Sequence, residues 1–156
     1  MPAEQEAERV GRDPGSVLDK LSLIVMSGDF ARVHYALVLA SASAAIGKPV
    51  TLFFADEALR ALCISSHDEH PGWRALQAGG RSAGRADGEL RARGVAGFEE
   101  LLQACAELGV RVIACEMGLR ALGLQPSDLR QDVSIEVAGV VTLLADASAH
   151  GAMLVF

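Results

Sequence analysis

The sequence predicts an α/β domain built on a parallel sheet, and three observations carry that prediction. Apolar runs of strand length alternate with helix-length stretches, an order that calls for right-handed crossovers between parallel strands. The runs LSLIVMS at 21–27, VTLFFA at 50–55 and VRVIA at 110–114 are almost wholly apolar, as strands covered on both faces are. Composition agrees: 51% of the 156 residues are hydrophobic and only 4% aromatic, which suits a doubly covered sheet or a sizeable subunit interface. One domain is expected at this length.

The elements follow in order. Residues 1–17 are polar, hold Pro2, Pro14 and two glycines, and show no period, so they read as a disordered N-terminal arm ahead of a domain at 18–156. The first strand ends at Gly28-Asp29. Val33, Leu37, Ala40 and Ala44 then recur at helical spacing over 30–46, with Asp29 as N-cap and Gly47 and Pro49 as the stop. The strand at 50–55 leads to a short helix from Asp56 or Glu57 to about Leu62. Residues 63–97 break the pattern with seven glycines, a proline, five arginines and four acids. They read as a flexible insertion with at most a short helix over 89–93. Phe98, Leu101, Leu102, Cys105 and Leu108 then mark an amphipathic helix closed by Gly109. After the strand at 110–114 a short helix runs to Leu122, and Pro126 suits a first helical position. Val133, Ile135 and Val137 alternate with Ser134 and Glu136 as a half-exposed strand, 140–149 reads as a helix ended at Gly151, and 152–156 as a last apolar strand.

The chain is organised around Cys115. It ends a buried strand, and the carboxyl ends of parallel strands are where open α/β sheets place ligands and chemistry. It also opens a helix, whose partial positive charge favours an anionic sulfur. A buried structural cysteine is the competing reading, since free Cys is among the most buried residue types. Ser27, Gly28, Asp29 and Arg32 belong to the loop and helix start after the first strand, which can lie beside the loop carrying Cys115; Asp29 as a plain N-cap is the simpler explanation of that residue. Arg32 or Arg120 would add positive charge near the sulfur, and Glu116 would oppose it.

Other motifs carry less. No GxGxxG follows a strand, and Gly79 and Gly84 have phosphate-loop spacing but Arg85-Ala86 where Lys-Ser/Thr is needed, so a flexible loop is the better reading and a flavin or nucleotide binder is disfavoured. Cys63, His67 and His70 are zinc-ligand types in one short segment without a fourth partner, and no metal site is expected there. Cys105 reads as a core residue and His34 as a polar-edge one. A net charge of −6 argues against nucleic acid and against a basic membrane-binding surface. No apolar stretch is long enough for a transmembrane segment. Three cysteines without CxxC make no disulfide framework, so a cytoplasmic protein with reduced thiols is expected.

Four stretches together resemble the DsrE/DsrF-like sulfur-relay family, in particular its peroxiredoxin-like DsrE branch. They are KLSLIVMSGDFARV, VTLFFADEALRAL, LGVRVIACEMGLRALGL and VSIEVAGVVTLLADASAHGAMLVF, spanning 20–156. The resemblance implies a three-layer α/β/α fold with a mainly parallel five-stranded sheet. It implies a sulfur carrier or sulfurtransferase, without a cofactor, that holds sulfur on a cysteine as a persulfide or thiosulfonate. Its partners would be sulfur-donor and sulfur-acceptor proteins, and it would assemble as a homo-oligomer, a trimer or hexamer. The family's cysteine falls on Cys115. The branch's Met-Ser-Met-Asp-like run after that cysteine is kept only at Met117, with Gly118, Leu119 and Arg120 following, and the connecting segment is Gly- and Arg-rich rather than Met- and Lys-rich. The alternative is a non-catalytic oligomeric binding or regulatory protein of the same fold.

Overall fold

The computed structural model describes residues 18–64 and 70–156. The expected arm at 1–17 lies outside the described residues. Strand β1 (Leu21–Val25) leads into α1 (Phe30–Ala45), where the Asp29 carboxylate accepts from the Arg32 backbone N–H at 3.1 Å. Gly47, at φ +80°, takes the left-handed turn that ends the helix. Strand β2 (Val50–Phe54) is buried along its whole length, and a 3-10 helix follows at Asp56–Leu62.

The segment expected as a flexible insertion has more structure than its composition suggests. Its described part holds a 3-10 turn (Gly72–Ala75), a hairpin of β3 (Gln77–Ala78) and β4 (Arg81–Ser82), and helix α2 (Ala83–Ala92) in place of the short helix at 89–93. Four contacts explain the difference. Trp73 stacks on Phe98 with ring centroids 5.0 Å apart and donates from Nε1 to Glu99. Ser82 caps α2 by accepting from the Arg85 N–H, and buried Asp87 accepts from the Phe98 N–H at 2.6 Å. Gly79 and Gly80, with φ of +61° and +82°, make the hairpin turn, while Gly84 lies in α2, so neither Gly79 nor Gly84 belongs to a phosphate loop.

Helix α3 (Phe98–Glu107) delivers the chain to β5 (Arg111–Cys115) and α4 (Glu116–Ala121). A 3-10 turn at Pro126–Asp128 precedes β6 (Ile135–Ala138), α5 (Val140–Asp146) and β7 (Ala152–Val155). Helix α5 stops at Asp146, short of the expected 149.

The five long strands form one parallel sheet in the order β6-β5-β2-β1-β7. With helices on both faces this is the expected three-layer α/β/α architecture. The first face carries the main core, in which Leu23, Val25, Leu52, Phe54 and Ala114 pack with Val33 and Leu37 of α1 and Leu102 and Cys105 of α3. The second face holds a much smaller cluster of Phe53, Ile113, Cys115 and Leu143. Among the described residues, Leu143 of α5 is the one helical side chain in that cluster. No helix among them is long and apolar enough to cross a membrane.

Candidate functional site

Cys115 is the last residue of β5, in register with Ala138 of β6, and the N-cap of α4. Alternation along β5 sends Val112 and Ala114 to the main core and Ile113 and Cys115 to the second face. The residue is 3% exposed. Helix α4 has six residues and begins with Glu116, which pairs with Arg120 at 2.6 Å on the surface. Arg120 is therefore engaged by the acid that was expected to oppose it. Met117 is exposed beside them.

The three thiols differ in their surroundings. Cys105 is fully buried and directs its thiol to the Leu37 carbonyl, and burial pushes its pKa up to about 12. Cys63 donates to the Leu59 carbonyl; burial first, then the Asp128 charge, pushes its pKa up against the opposing charge of Arg60. Cys115 has no hydrogen bond to its sulfur among the described residues and is the one thiol at a strand's carboxyl end. His70 lies beside Cys63 at the rim of a shallow cavity, and His67 lies outside the described residues.

The first-strand loop does not reach the sulfur directly. Strand β2 lies between β1 and β5, so Ser27, Gly28 and Asp29 stand two strand spacings from Cys115, roughly 10 Å. Ser27 Oγ accepts from the Asp29 N–H, and Asp29 is the N-cap of α1. Arg32 sits exposed in that helix's first turn.

What intervenes is the start of the 3-10 helix, an element expected at Asp56 or Glu57 but not as part of the site. Asp56 holds φ +49°, the only left-handed non-glycine residue among those described, and it does so at the carboxyl end of β2. Asp tolerates this region better than most residues, yet such conformations persist where neighbours enforce them. The neighbours are close: a Cβ on Gly118 would stand 2.6 Å from Leu59 Cδ1, 3.4 Å from the Asp56 nitrogen and 3.5 Å from Cys115 Cβ. Gly118 thus lets α4 dock on the 56–62 helix beside Cys115. The sequence marks Asp56 as a helix start but not its left-handed dihedral, which depends on that docking. Beyond α4 a cleft of about 560 Å³ opens between Glu116, Arg120, Leu124, Gln125, Pro126 and Val137.

A doubly covered parallel sheet with one cysteine ending an interior strand defines a class by fold and site, and comparisons with known proteins give the family. The model of the DsrE/DsrF/DrsH-like family matches residues 76–155, just over half of the chain, and the protein belongs to that family. It is 24% identical over 147 residues to the uncharacterized protein YrkE of Bacillus subtilis strain 168, covering 82% of this chain and 91% of that one. Its fold is similar to the solved structure of a protein of unknown function from Methanobacterium thermoautotrophicum, with a TM-score of 0.54 and 16% identity, covering 88% of this chain and 98% of that one.

Proposed function

We propose that the protein is a sulfur carrier or sulfurtransferase and that Cys115 accepts the sulfur. The observation that carries this reading is the position of Cys115 alone among the three thiols: at the carboxyl end of an interior strand of the sheet and, among the described residues, without a carbonyl partner for its sulfur. Family membership supports a sulfur-relay role in general, and the specific assignment is ours. In the proposed step the Cys115 thiolate attacks the outer sulfur of a partner's persulfide. The partner's S–S bond breaks, the partner leaves as a thiolate, and Cys115 holds the sulfur as its own persulfide. The sulfane sulfur moves without net oxidation, so the step needs no cofactor. Passing it to an acceptor thiolate repeats the exchange in reverse. Gly118 and Asp56 position the sulfur-bearing strand end, while Ser27, Gly28, Asp29 and Arg32 line the next strand end but one.

Donor and acceptor proteins of a cytoplasm are the partners in this reading, and the carrier is a homo-oligomer, a trimer or hexamer. Exposed aliphatics support the assembly: Val141 is 81%, Leu144 61% and Val155 63% exposed on or beside the thinly covered second face. A second reading has one observation in its favour. At 3% exposure Cys115 also fits a structural role in a non-catalytic binding or regulatory protein. Incubation with polysulfide followed by intact mass separates them: the carrier gains sulfur on Cys115, and the regulatory protein does not.

A further inference from the structure

The burial of Cys115 poses a physical problem for any reaction with a partner protein, and α5 offers the solution. This helix begins beside the sulfur, because Ala138 is in register with Cys115 and Gly139 is the N-cap. Gly139 has no side chain with which to cap the helix, so its first turn is held by backbone bonds alone. Along its seven residues only Leu143 is buried, in the cluster that contains Cys115, while Val140, Val141 and Leu144 face solvent. The firm attachment lies at the other end. Asp146 accepts from Lys20 Nζ at 2.7 Å, Thr51 Oγ1 at 2.6 Å and Arg111 Nη1 at 2.8 Å.

We infer that α5 is a gate over Cys115, closed by Leu143 and anchored by Asp146, and that displacing its first turns exposes the sulfur without unfolding the domain. Two features point this way. The main core lies on the opposite face and does not depend on α5. The helix contributes one apolar side chain to the sheet, so local opening disrupts little packing. The inference deepens the carrier reading by naming how the sulfur is reached, but it concerns access alone and survives if Cys115 proves to carry no sulfur.

Thiol labelling of the full chain with iodoacetamide, followed by peptide mapping, tests it. Cys105 is the internal reference, since it sits fully buried in the opposite core and reports opening of the whole domain. Wild-type Cys115 should label at least ~10-fold faster than Cys105. Leu143→Ala should raise the Cys115/Cys105 rate ratio by ~5-fold or more, and so should Asp146→Asn. The second variant matters most: Asp146 meets β5 at Arg111, four residues and roughly 13 Å from Cys115, so it leaves the packing at the sulfur intact. A variant that merely destabilises the fold accelerates both thiols together. Equal labelling of the two wild-type thiols, or an unchanged ratio in Asp146→Asn, would overturn the gate.

Discussion

Thr51 donates its hydroxyl to Asp146 at 2.6 Å, joining the amino end of β2 to the last residue of α5 across 95 positions of sequence. Lys20 and Arg111 add their charges to the same carboxylate, and Arg111 also pairs with Glu136 on β6. Burial alone would raise the Asp146 pKa, but hydrogen bonds from Lys20, Thr51 and Arg111 outweigh it and hold the group below the usual carboxylate range.

The sign of the pH effect follows. A depressed folded-state pKa contributes stability that is fully present above the unfolded value of about 4 and is lost as pH falls through the folded value. Asp146→Asn should cost about 1–3 kcal/mol at pH 7 in urea unfolding, and the gap from wild type should narrow below about pH 4. A variant with an unchanged midpoint at pH 7 would show that the cluster is not an anchor.

Gly118 is a second test of the site's construction. Its missing Cβ lets α4 sit against Leu59, which is itself fully buried. Gly118→Ala gains helix propensity, but the clash outweighs it, and a net loss of about 1–2 kcal/mol is expected. Thermal unfolding reads this directly, and a stabilised variant would mean that Leu59 has room to move.

The thiols should also separate by pH. Burial pushes the Cys105 pKa up from the ordinary 9.0 to about 12, so this thiol stays neutral and inert to alkylation in the native protein at pH 9. Its linkage contribution is complete below pH 9 and is lost as pH rises from 9 towards 12. Cys63, raised in the same direction, should react slowly as well. Rapid native-state modification of Cys105 at pH 9 would contradict this account of the main core.

Much of this fold is legible in the sequence for a simple reason: β1, β2 and β5 are continuous apolar runs, and Asp29 and Gly47 bracket α1 with side-chain and backbone chemistry that needs no tertiary context. Helix α2 was hidden because its inward residues, Ala83 and Ala86, are too small to give a strong period, and its place is secured by Asp87 capping a different helix. Helix α5 looked longer because 140–149 is aliphatic-rich, and what stops it is the distant hold of Lys20 and Arg111 on Asp146. Cys115 could be found at a strand end. The insertion of β2 between it and the Ser27–Asp29 loop could not, since strand order is a tertiary property, and neither could the left-handed Asp56.

Assembly is expected to involve the second face. Light scattering at micromolar concentration should give a trimer or hexamer mass, and Val141→Asp with Leu144→Asp should shift it towards monomer, because burying two charges in an apolar contact is costly. A stable monomer mass for the wild type would remove the proposed assembly.

Sulfur loading tests the central claim most directly. The protein is incubated with polysulfide, and intact mass is compared for wild type, Cys115→Ser and Cys105→Ser. Wild type and Cys105→Ser should each gain a reducible mass of about 32 Da per chain, the mass of one sulfur atom, and Cys115→Ser should gain none. Full loading of Cys115→Ser would contradict Cys115 as the sulfur acceptor.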